Sequence, residues 1–103
     1  MMAPAEPPAS GGGPQISVII PSYARPDALR RCLAALAVQT CARERFEVIV
    51  VDDGSPVPLD DAVVEFRAAI ALTLLRQENS GPGLARNRGA ASARGSLLAF
   101  TDD

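Results

Sequence analysis

Four short, mainly apolar runs recur along the chain and predict four strands, and the first of them is rich in β-branched side chains. They are QISVIIP at 15–21, FEVIVV at 46–51, LTLLR at 72–76 and SLLAF at 96–100. Continuous apolar runs of this length are typical of strands that are buried on both faces of a sheet.

Three stretches between these runs have the features of helices. Apolar side chains recur at helical spacing from Pro26, a residue suited to the first helical position, and predict a helix that ends near Gln39. We also predict a helix at 59–71, LDDAVVEFRAAIA, and a third at 81–95, GPGLARNRGAASARG, which Gly89 weakens.

The resulting order, β-α-β-α-β-α-β, predicts an α/β fold. A mainly parallel sheet with helices on both faces, a Rossmann-like three-layer βαβαβαβ arrangement, follows from this alternation. Right-handed crossovers leave few topologies, and we expect the strand order 3-2-1-4. Residues 1–14, MMAPAEPPASGGGP, are predicted to be a disordered tail, so the folded part is expected at 15–103.

Composition then narrows the classes of function. All ten basic residues are Arg, and the chain has neither Lys nor His. A phosphate-loop lysine, a His-based catalytic triad and a His metal ligand are therefore excluded within these 103 residues. The net charge of −2 gives no reason to expect a nucleic-acid partner.

Cysteine usage and hydropathy bear on the compartment. Cys32 and Cys41 match no zinc or redox motif, and we expect both to be reduced, with Cys32 in the core and Cys41 in a loop. No run approaches the ~20 apolar residues of a membrane span, and no signal peptide is evident. A cytoplasmic protein without a membrane segment is the expectation.

Candidate chemistry follows three of the four predicted strands. The first strand is followed by PSYARPD, the second by DDGS and the fourth by TDD. In the order 3-2-1-4 these strands are neighbours, so residues 21–23, Asp52, Asp53, Asp102 and Asp103 would converge at one sheet edge. Ligands of open α/β sheets bind beyond the carboxyl ends of the strands.

Carboxylates at such an edge suit two tasks. They can accept hydrogen bonds from a base N–H or a ribose hydroxyl, or they can hold a hard divalent cation that in turn holds phosphate oxygens. Without His or a suitable Cys pair, that cation would be Mg²⁺ or Mn²⁺ rather than Zn²⁺. Arg86 and Arg88, near the start of the third predicted helix, favour an anionic diphosphate.

Three segments together resemble a known family. ISVIIPSYARPDALRRCLAAL, FEVIVVDDGS and ENSGPGLARNRGAASARGSLLAFTDD are similar to the N-terminal half of a family 2 glycosyltransferase, and the resemblance covers 15–103. It implies the N-terminal part of a GT-A domain that uses a nucleotide-sugar donor, most commonly a UDP-sugar. The implied reaction transfers the sugar, with inversion, to an acceptor hydroxyl that the sequence does not identify.

The resemblance also implies roles for individual residues in the nucleotide pocket. Pro21 and Tyr23 would line it, and Asp53 would accept a hydrogen bond from the uracil N3–H. Arg86 and Asn87, which match the family's ARN, would face the nucleotide or its diphosphate.

Asp102 and Asp103 match the start of the family's metal-binding Asp-x-Asp motif. The resemblance implies that both bind Mg²⁺ or Mn²⁺ and that Asp102 also contacts the donor. The third position would be residue 104, and the catalytic base is expected downstream of Asp103. On this interpretation the chain supplies the donor-binding half of the enzyme.

Simpler interpretations stand beside these. Asp52 and Asp53 would serve in an ordinary turn, with Asp52 mainly accepting backbone N–H groups. Tyr23 would pack at a strand end, Pro21 would only end the strand, and Arg86 would be a surface charge.

At the level of function, the alternatives are a truncated, inactive nucleotide-binding fragment and a receiver-like βα domain. Receiver-like domains need a Lys, and this chain has none. A sheet that stops at its fourth strand is also expected to leave an apolar face uncovered, with marginal solubility or a need for a partner.

Overall fold

The computed structural model describes residues 13–39 and 43–103. Most of the predicted tail, and Cys41, lie outside these residues. Within these two ranges lie four strands and three α-helices, with a 3₁₀ turn at Arg43–Arg45: β1 (Ile16–Ser22), α1 (Pro26–Ala37), β2 (Phe46–Asp52), α2 (Asp60–Val64), β3 (Ala71–Arg76), α3 (Pro82–Ser92) and β4 (Leu97–Phe100).

The strands form one parallel sheet in the order β3-β2-β1-β4. This confirms the predicted α/β class and strand order. Ser22 pairs with Asp52, and Asp52 pairs with Arg76, so three strands end at the same level. Ile19 pairs with Phe100, and the same register carried forward brings Asp103 level with Ser22. The residues that follow β1, β2 and β4 therefore meet at one edge.

One face of the sheet holds the larger apolar cluster. Strand alternation directs Val18 and Ile20 of β1 and Val48 and Val50 of β2 to this face. These side chains pack against α1 and α2, whose contributions to the cluster include Leu29, Leu33, Ala62 and Val63. Cys32 packs against the same cluster, and burial, followed by the charge of Asp103, raises the pKa of its thiol. The thiol is therefore protonated at neutral pH.

The other face of the sheet is covered by α3. Ile19, Ile49 and Val51 pack against Ala85, and Gly89 lies directly over β1. A Cβ at position 89 would lie 2.5 Å from the Cγ2 atom of Ile19, so the residue must be glycine for the helix to approach this closely. The glycine that weakens the helix in the sequence pattern is thus the one that allows the helix to pack.

The strand β4 is an edge of the sheet, and its side chains are exposed. Leu97 is 64% exposed, Leu98 42% and Phe100 49%. The expected uncovered apolar surface at this strand is confirmed for the described residues.

The second helix is shorter than predicted. The pattern predicts a helix at 59–71, whereas α2 ends at Val64 and β3 begins at Ala71. The amides of Phe66 and Arg67 donate to carbonyls three residues earlier, which tightens the chain into turns. These turns bury Ile70 and return the backbone to the sheet within a few residues.

The third helix also ends early, at Ser92 instead of Gly95. The amide of Arg94 donates to Glu47 and that of Gly95 to Ser17, so both leave the helical pattern to bind the sheet. None of the helices in the described ranges is sufficiently long and apolar to cross a membrane.

Candidate functional site

A cleft of about 320 Å³ lies at the carboxyl edge of the sheet. Its walls come from the end of β1, from the segments after β1, β2 and β4, and from the first residue of α3. The lining residues are Pro21, Ser22, Tyr23, Arg25, Asp53, Pro82, Asp102 and Asp103. Five residues that the sequence analysis assigned to a nucleotide and metal site are thus brought together: Pro21, Tyr23, Asp53, Asp102 and Asp103.

Asp53 is the most constrained acid of this cleft. It is 5% exposed, and its Oδ1 accepts hydrogen bonds from Gln77 Nε2 at 2.9 Å and from the Ser80 amide at 2.8 Å. Oδ2 accepts one from the Gly81 amide at 3.0 Å. Burial raises the pKa of Asp53, but these three donors lower it by more, so the carboxyl is ionised at neutral pH. Oδ2 retains acceptor capacity toward a ligand.

The turn that carries Asp53 is locked to the segment after β3. Gly54 has a φ of +79°, and a Cβ there would lie 2.6 Å from the backbone N of Asn79. Asn79 Nδ2 donates to the carbonyl of Asp53 at 3.0 Å. The close approach requires glycine, and it fixes the backbone on both sides of the Asp53 carboxylate.

Asp52 has a different role, although it is adjacent in sequence. It is 1% exposed and does not line the cleft. Its Oδ1 accepts from the Ser55 amide at 2.9 Å, and its Oδ2 from the Leu59 amide at 3.2 Å and from Arg76 Nη1 at 2.7 Å. The interpretation that Asp52 satisfies backbone N–H groups is confirmed, and the ion pair with Arg76 adds to it.

The segment after β1 supplies an aromatic side chain. Pro21 and Ser22 are buried, whereas Tyr23 is 46% exposed beside the cleft. Ala24 follows with a φ of +54°, and its amide donates to Ser55 Oγ at 2.8 Å. This bend ties the β1 segment to the β2 turn and leaves the tyrosine ring accessible to a ligand.

The two acids after β4 lie on the opposite wall. The Thr101 amide donates to the Ile19 carbonyl at 3.1 Å, which continues the pairing with β1 beyond the end of β4. The Ser22 hydroxyl donates to a carboxylate oxygen of Asp103, whereas Asp102 is exposed. Ser22 therefore orients one of the two predicted metal ligands.

A divalent cation fits this pair of acids. Among the described residues, no group of three His, Cys, Asp or Glu side chains is placed to form a closed cage around a metal ion. Mg²⁺ and similar hard cations commonly bind one or two carboxylates and complete their shell with water and substrate phosphates. Asp102 and Asp103 provide oxygen ligands of that kind.

Arg86 and Asn87 are not among the residues that line the cleft. They lie on α3 one turn beyond Pro82, where Arg86 is partly buried and Asn87 is exposed. Their predicted contact with the nucleotide is untested by this geometry and stays a prediction.

Sequence reasoning missed several residues of the site. Arg25 and Pro82 line the cleft, and Gln77 and Ser80 orient Asp53. Gln77 and Ser80 could have been found from the predicted strand order. Because β3 neighbours β2, the segment after β3 had to lie beside the DDGS turn.

A parallel α/β sheet with an acidic cleft beyond its strand ends is the arrangement in which proteins of this class bind nucleotides. The model of the family "Glycosyl transferase family 2" matches residues 17–103, and the chain belongs to that family.

Characterised relatives agree with this assignment. The chain is 44% identical over 91 residues to the validoxylamine A glucosyltransferase of Streptomyces hygroscopicus subsp. jinggangensis, which covers 86% of this chain and 22% of the relative. It is 42% identical over 95 residues to the succinoglycan biosynthesis protein ExoW of Rhizobium meliloti, with 85% of this chain and 28% of the relative covered.

Solved structures are similar over the same region. S. aureus TarS 1–349 in complex with UDP-GlcNAc superposes with a TM-score of 0.79 at 34% identity, over 85% of this chain and 26% of the TarS 1–349 chain. The mannosyltransferase PcManGT of Pyrobaculum calidifontis, in complex with GDP-Man and Mn²⁺, superposes with a TM-score of 0.80 at 30% identity, over 87% of this chain and 27% of PcManGT. The chain spans less than a third of the length of each of these four proteins.

Proposed function

We propose that this chain supplies the donor-binding half of a glycosyltransferase that transfers a sugar from a nucleoside-diphosphate donor to an acceptor hydroxyl. The observation that carries the proposal is Asp53, an ionised and buried carboxylate held in the wall of a cleft by three N–H donors. The similar structures of TarS with UDP-GlcNAc and of PcManGT with GDP-Man support a nucleotide-sugar donor.

The base-binding end of the cleft is assigned to three residues. Asp53 Oδ2 accepts one hydrogen bond, from the Gly81 amide, and a carboxylate oxygen can accept a second, for which the N3–H of uracil is a suitable donor. Tyr23 offers its exposed ring to the base or the ribose, and Pro21 forms the adjacent wall. A UDP-sugar is the donor that we propose.

The opposite wall is assigned to the diphosphate and its cation. Asp102 and Asp103 would hold Mg²⁺ or Mn²⁺, and Ser22 would keep the Asp103 carboxylate in a fixed orientation. When bound, such a cation offsets the negative charge that develops on the departing diphosphate. Asp102, the exposed member of the pair, would also contact the donor, with Arg86 and Asn87 as outer contacts along α3.

The proposed reaction inverts the anomeric centre. The acceptor oxygen forms a bond to the anomeric carbon as the bond from that carbon to the diphosphate oxygen breaks. A carboxylate outside the described residues would take the proton of the acceptor hydroxyl. The residues assigned here bind and orient the donor and take no part in that proton transfer.

Calorimetric titration with UDP in the presence of Mg²⁺ tests the donor assignment. Wild-type protein is expected to bind UDP, and Asp53→Asn is expected to weaken binding at least about tenfold, because a charge-assisted hydrogen bond contributes roughly 1.5–3 kcal/mol. Asp61→Asn, at an exposed position of α2, is the matched control and should bind as wild type does. Equal UDP affinity in wild type and Asp53→Asn would contradict the role of Asp53. Wild-type protein that binds neither UDP nor GDP would contradict the proposed function itself.

A further inference from the structure

One cation lines the cleft, and the family resemblance assigns it no role. Arg25 follows the bend after β1 and is exposed. It is the single basic side chain among the eight lining residues, beside the carboxylates of Asp53, Asp102 and Asp103.

Arg25 differs from the other arginines that lie near acids. Within residues 13–39 and 43–103, Arg30, Arg76 and Arg94 each form an ion pair with a carboxylate, at 3.0, 2.7 and 3.3 Å. In the same ranges Arg25 forms neither an ion pair nor a side-chain hydrogen bond. Its guanidinium is thus available although three acids line the same cleft.

The backbone of Arg25 is fixed on both sides. On one side the Ala24 amide is bound to Ser55 Oγ at 2.8 Å. On the other side Pro26 begins α1, and a proline restricts the residue before it to extended conformations. The observed φ of −134° and ψ of 64° lie outside the helical region. The side chain therefore leaves a rigid Cα and needs little backbone ordering to meet a ligand.

The charges in the cleft favour a role for the positively charged Arg25 side chain. Three carboxylates line it, and a nucleoside diphosphate adds several negative charges. A divalent cation at Asp102 and Asp103 offsets only two charges, so the bound state still has an excess of negative charge. The planar guanidinium fork of Arg matches pairs of phosphate oxygens, and this pairing is stronger than a hydrogen bond to a neutral base carbonyl.

From these observations we infer that Arg25 binds the diphosphate of the donor. The inference rests on the proposed function. The role of Arg25 can be tested by comparing UDP, which has phosphates, with uridine, which has none. A residue that binds phosphate oxygens changes the affinity for UDP and leaves the affinity for uridine unchanged.

Paired titrations with UDP and uridine test this role. UDP affinity is measured by calorimetry with Mg²⁺, and the weaker uridine affinity by ligand-observed NMR with the same diamagnetic ion. Arg25→Gln is expected to lower the affinity for UDP about tenfold and to leave the affinity for uridine within about twofold of wild type. Arg25→Lys should lose less UDP affinity than Arg25→Gln, because Lys keeps the positive charge although it lacks the planar guanidinium group.

Arg31→Gln is the matched control, since it removes the same charge from an exposed position of α1. It should leave both affinities unchanged, and melting curves check that each variant is folded. Unchanged UDP affinity in Arg25→Gln, or an equal loss for UDP and uridine, would overturn the inference while the donor site stands. Wild-type protein that binds neither UDP nor GDP would overturn the proposed function and this inference together.

Discussion

Glu47 is a buried acid at the end of the sheet opposite to the cleft, and its replacement by Gln tests how much its charge stabilises the fold. The side chain is 3% exposed. Its Oε2 accepts hydrogen bonds from Ser17 Oγ at 2.6 Å and from the Arg94 amide at 2.7 Å, and its Oε1 accepts one from Arg94 Nε at 3.3 Å. These bonds join β1, β2 and the segment after α3.

The expected loss in the free energy of unfolding depends on which hydrogen bonds of Glu47 a Gln side chain can retain. Its amide oxygen can replace Oε2 and keep the two short bonds, each of which loses its charge assistance at about 1 kcal/mol. The bond to Arg94 Nε is lost, but the Arg94 side chain is 66% exposed, so water screens and replaces that interaction. We therefore expect Glu47→Gln to lower the free energy of unfolding by about 2 kcal/mol, and Arg94→Ala, which keeps the amide, by less than about 1 kcal/mol.

The pH dependence has a defined sign. Burial raises the pKa of Glu47, but the bonds from Ser17 and Arg94 lower it by more, so the folded-state pKa is below the usual range of a glutamate. The unfolded chain then binds more protons, and stability rises with pH. The advantage of wild type over Glu47→Gln is complete above the ordinary pKa of Glu and disappears as the pH falls through the lower folded-state pKa.

Urea unfolding followed by far-ultraviolet circular dichroism, at pH 7 and at a series of acidic pH values, measures these differences. UDP affinity should be unchanged in the folded Glu47→Gln protein, because Glu47 lies away from the cleft. A difference below about 0.5 kcal/mol at pH 7, a larger effect of Arg94→Ala, or a gap that widens in acid would refute the reasoning.

Three further substitutions test other parts of the structure. Gly89→Ala should destabilise the fold by about 2 kcal/mol in urea unfolding, despite its better helix propensity, because its Cβ would meet Ile19; a stabilised variant would contradict the packing of α3. Ala24→Gly should raise the free energy of unfolding by about 1 kcal/mol, since a φ of +54° is strained for Ala; a lower melting temperature would contradict this. Asp52→Asn should lower stability by about 2 kcal/mol yet leave the UDP affinity of the folded protein within about threefold, whereas Asp53→Asn loses affinity; equal losses of affinity would contradict their separate roles.

The sheet was predictable because its signals are local. Each strand is a mainly apolar run, and the alternation with helices admits few arrangements. The end of α2 was not predictable, since the apolar spacing of Phe66 and Ile70 suits a helix as well as a turn that buries the same side chains. Tertiary geometry decided between them: β3 had to begin at Ala71.

The convergence of Asp53, Asp102 and Asp103 at one edge of the sheet was predictable from the strand order. The different roles of Asp52 and Asp53 depend on partners distant in sequence, Arg76 for one and Gln77 with the Ser80 and Gly81 amides for the other. No local pattern encodes such pairings. Arg25 was overlooked because an arginine beside a proline and an aspartate resembles an ordinary helix start.

The three donors to Asp53 also have a consequence for binding kinetics. Two of them are backbone amides of the segment after β3, and Gly54 packs against that segment, so the carboxylate is oriented when the sheet forms. If Asp53 binds the base as proposed, the ordering cost of base recognition is part of folding rather than of association. Amide hydrogens of Ser80 and Gly81 should exchange slowly even without nucleotide, and the base-binding end of the cleft should behave as a rigid template toward an arriving donor.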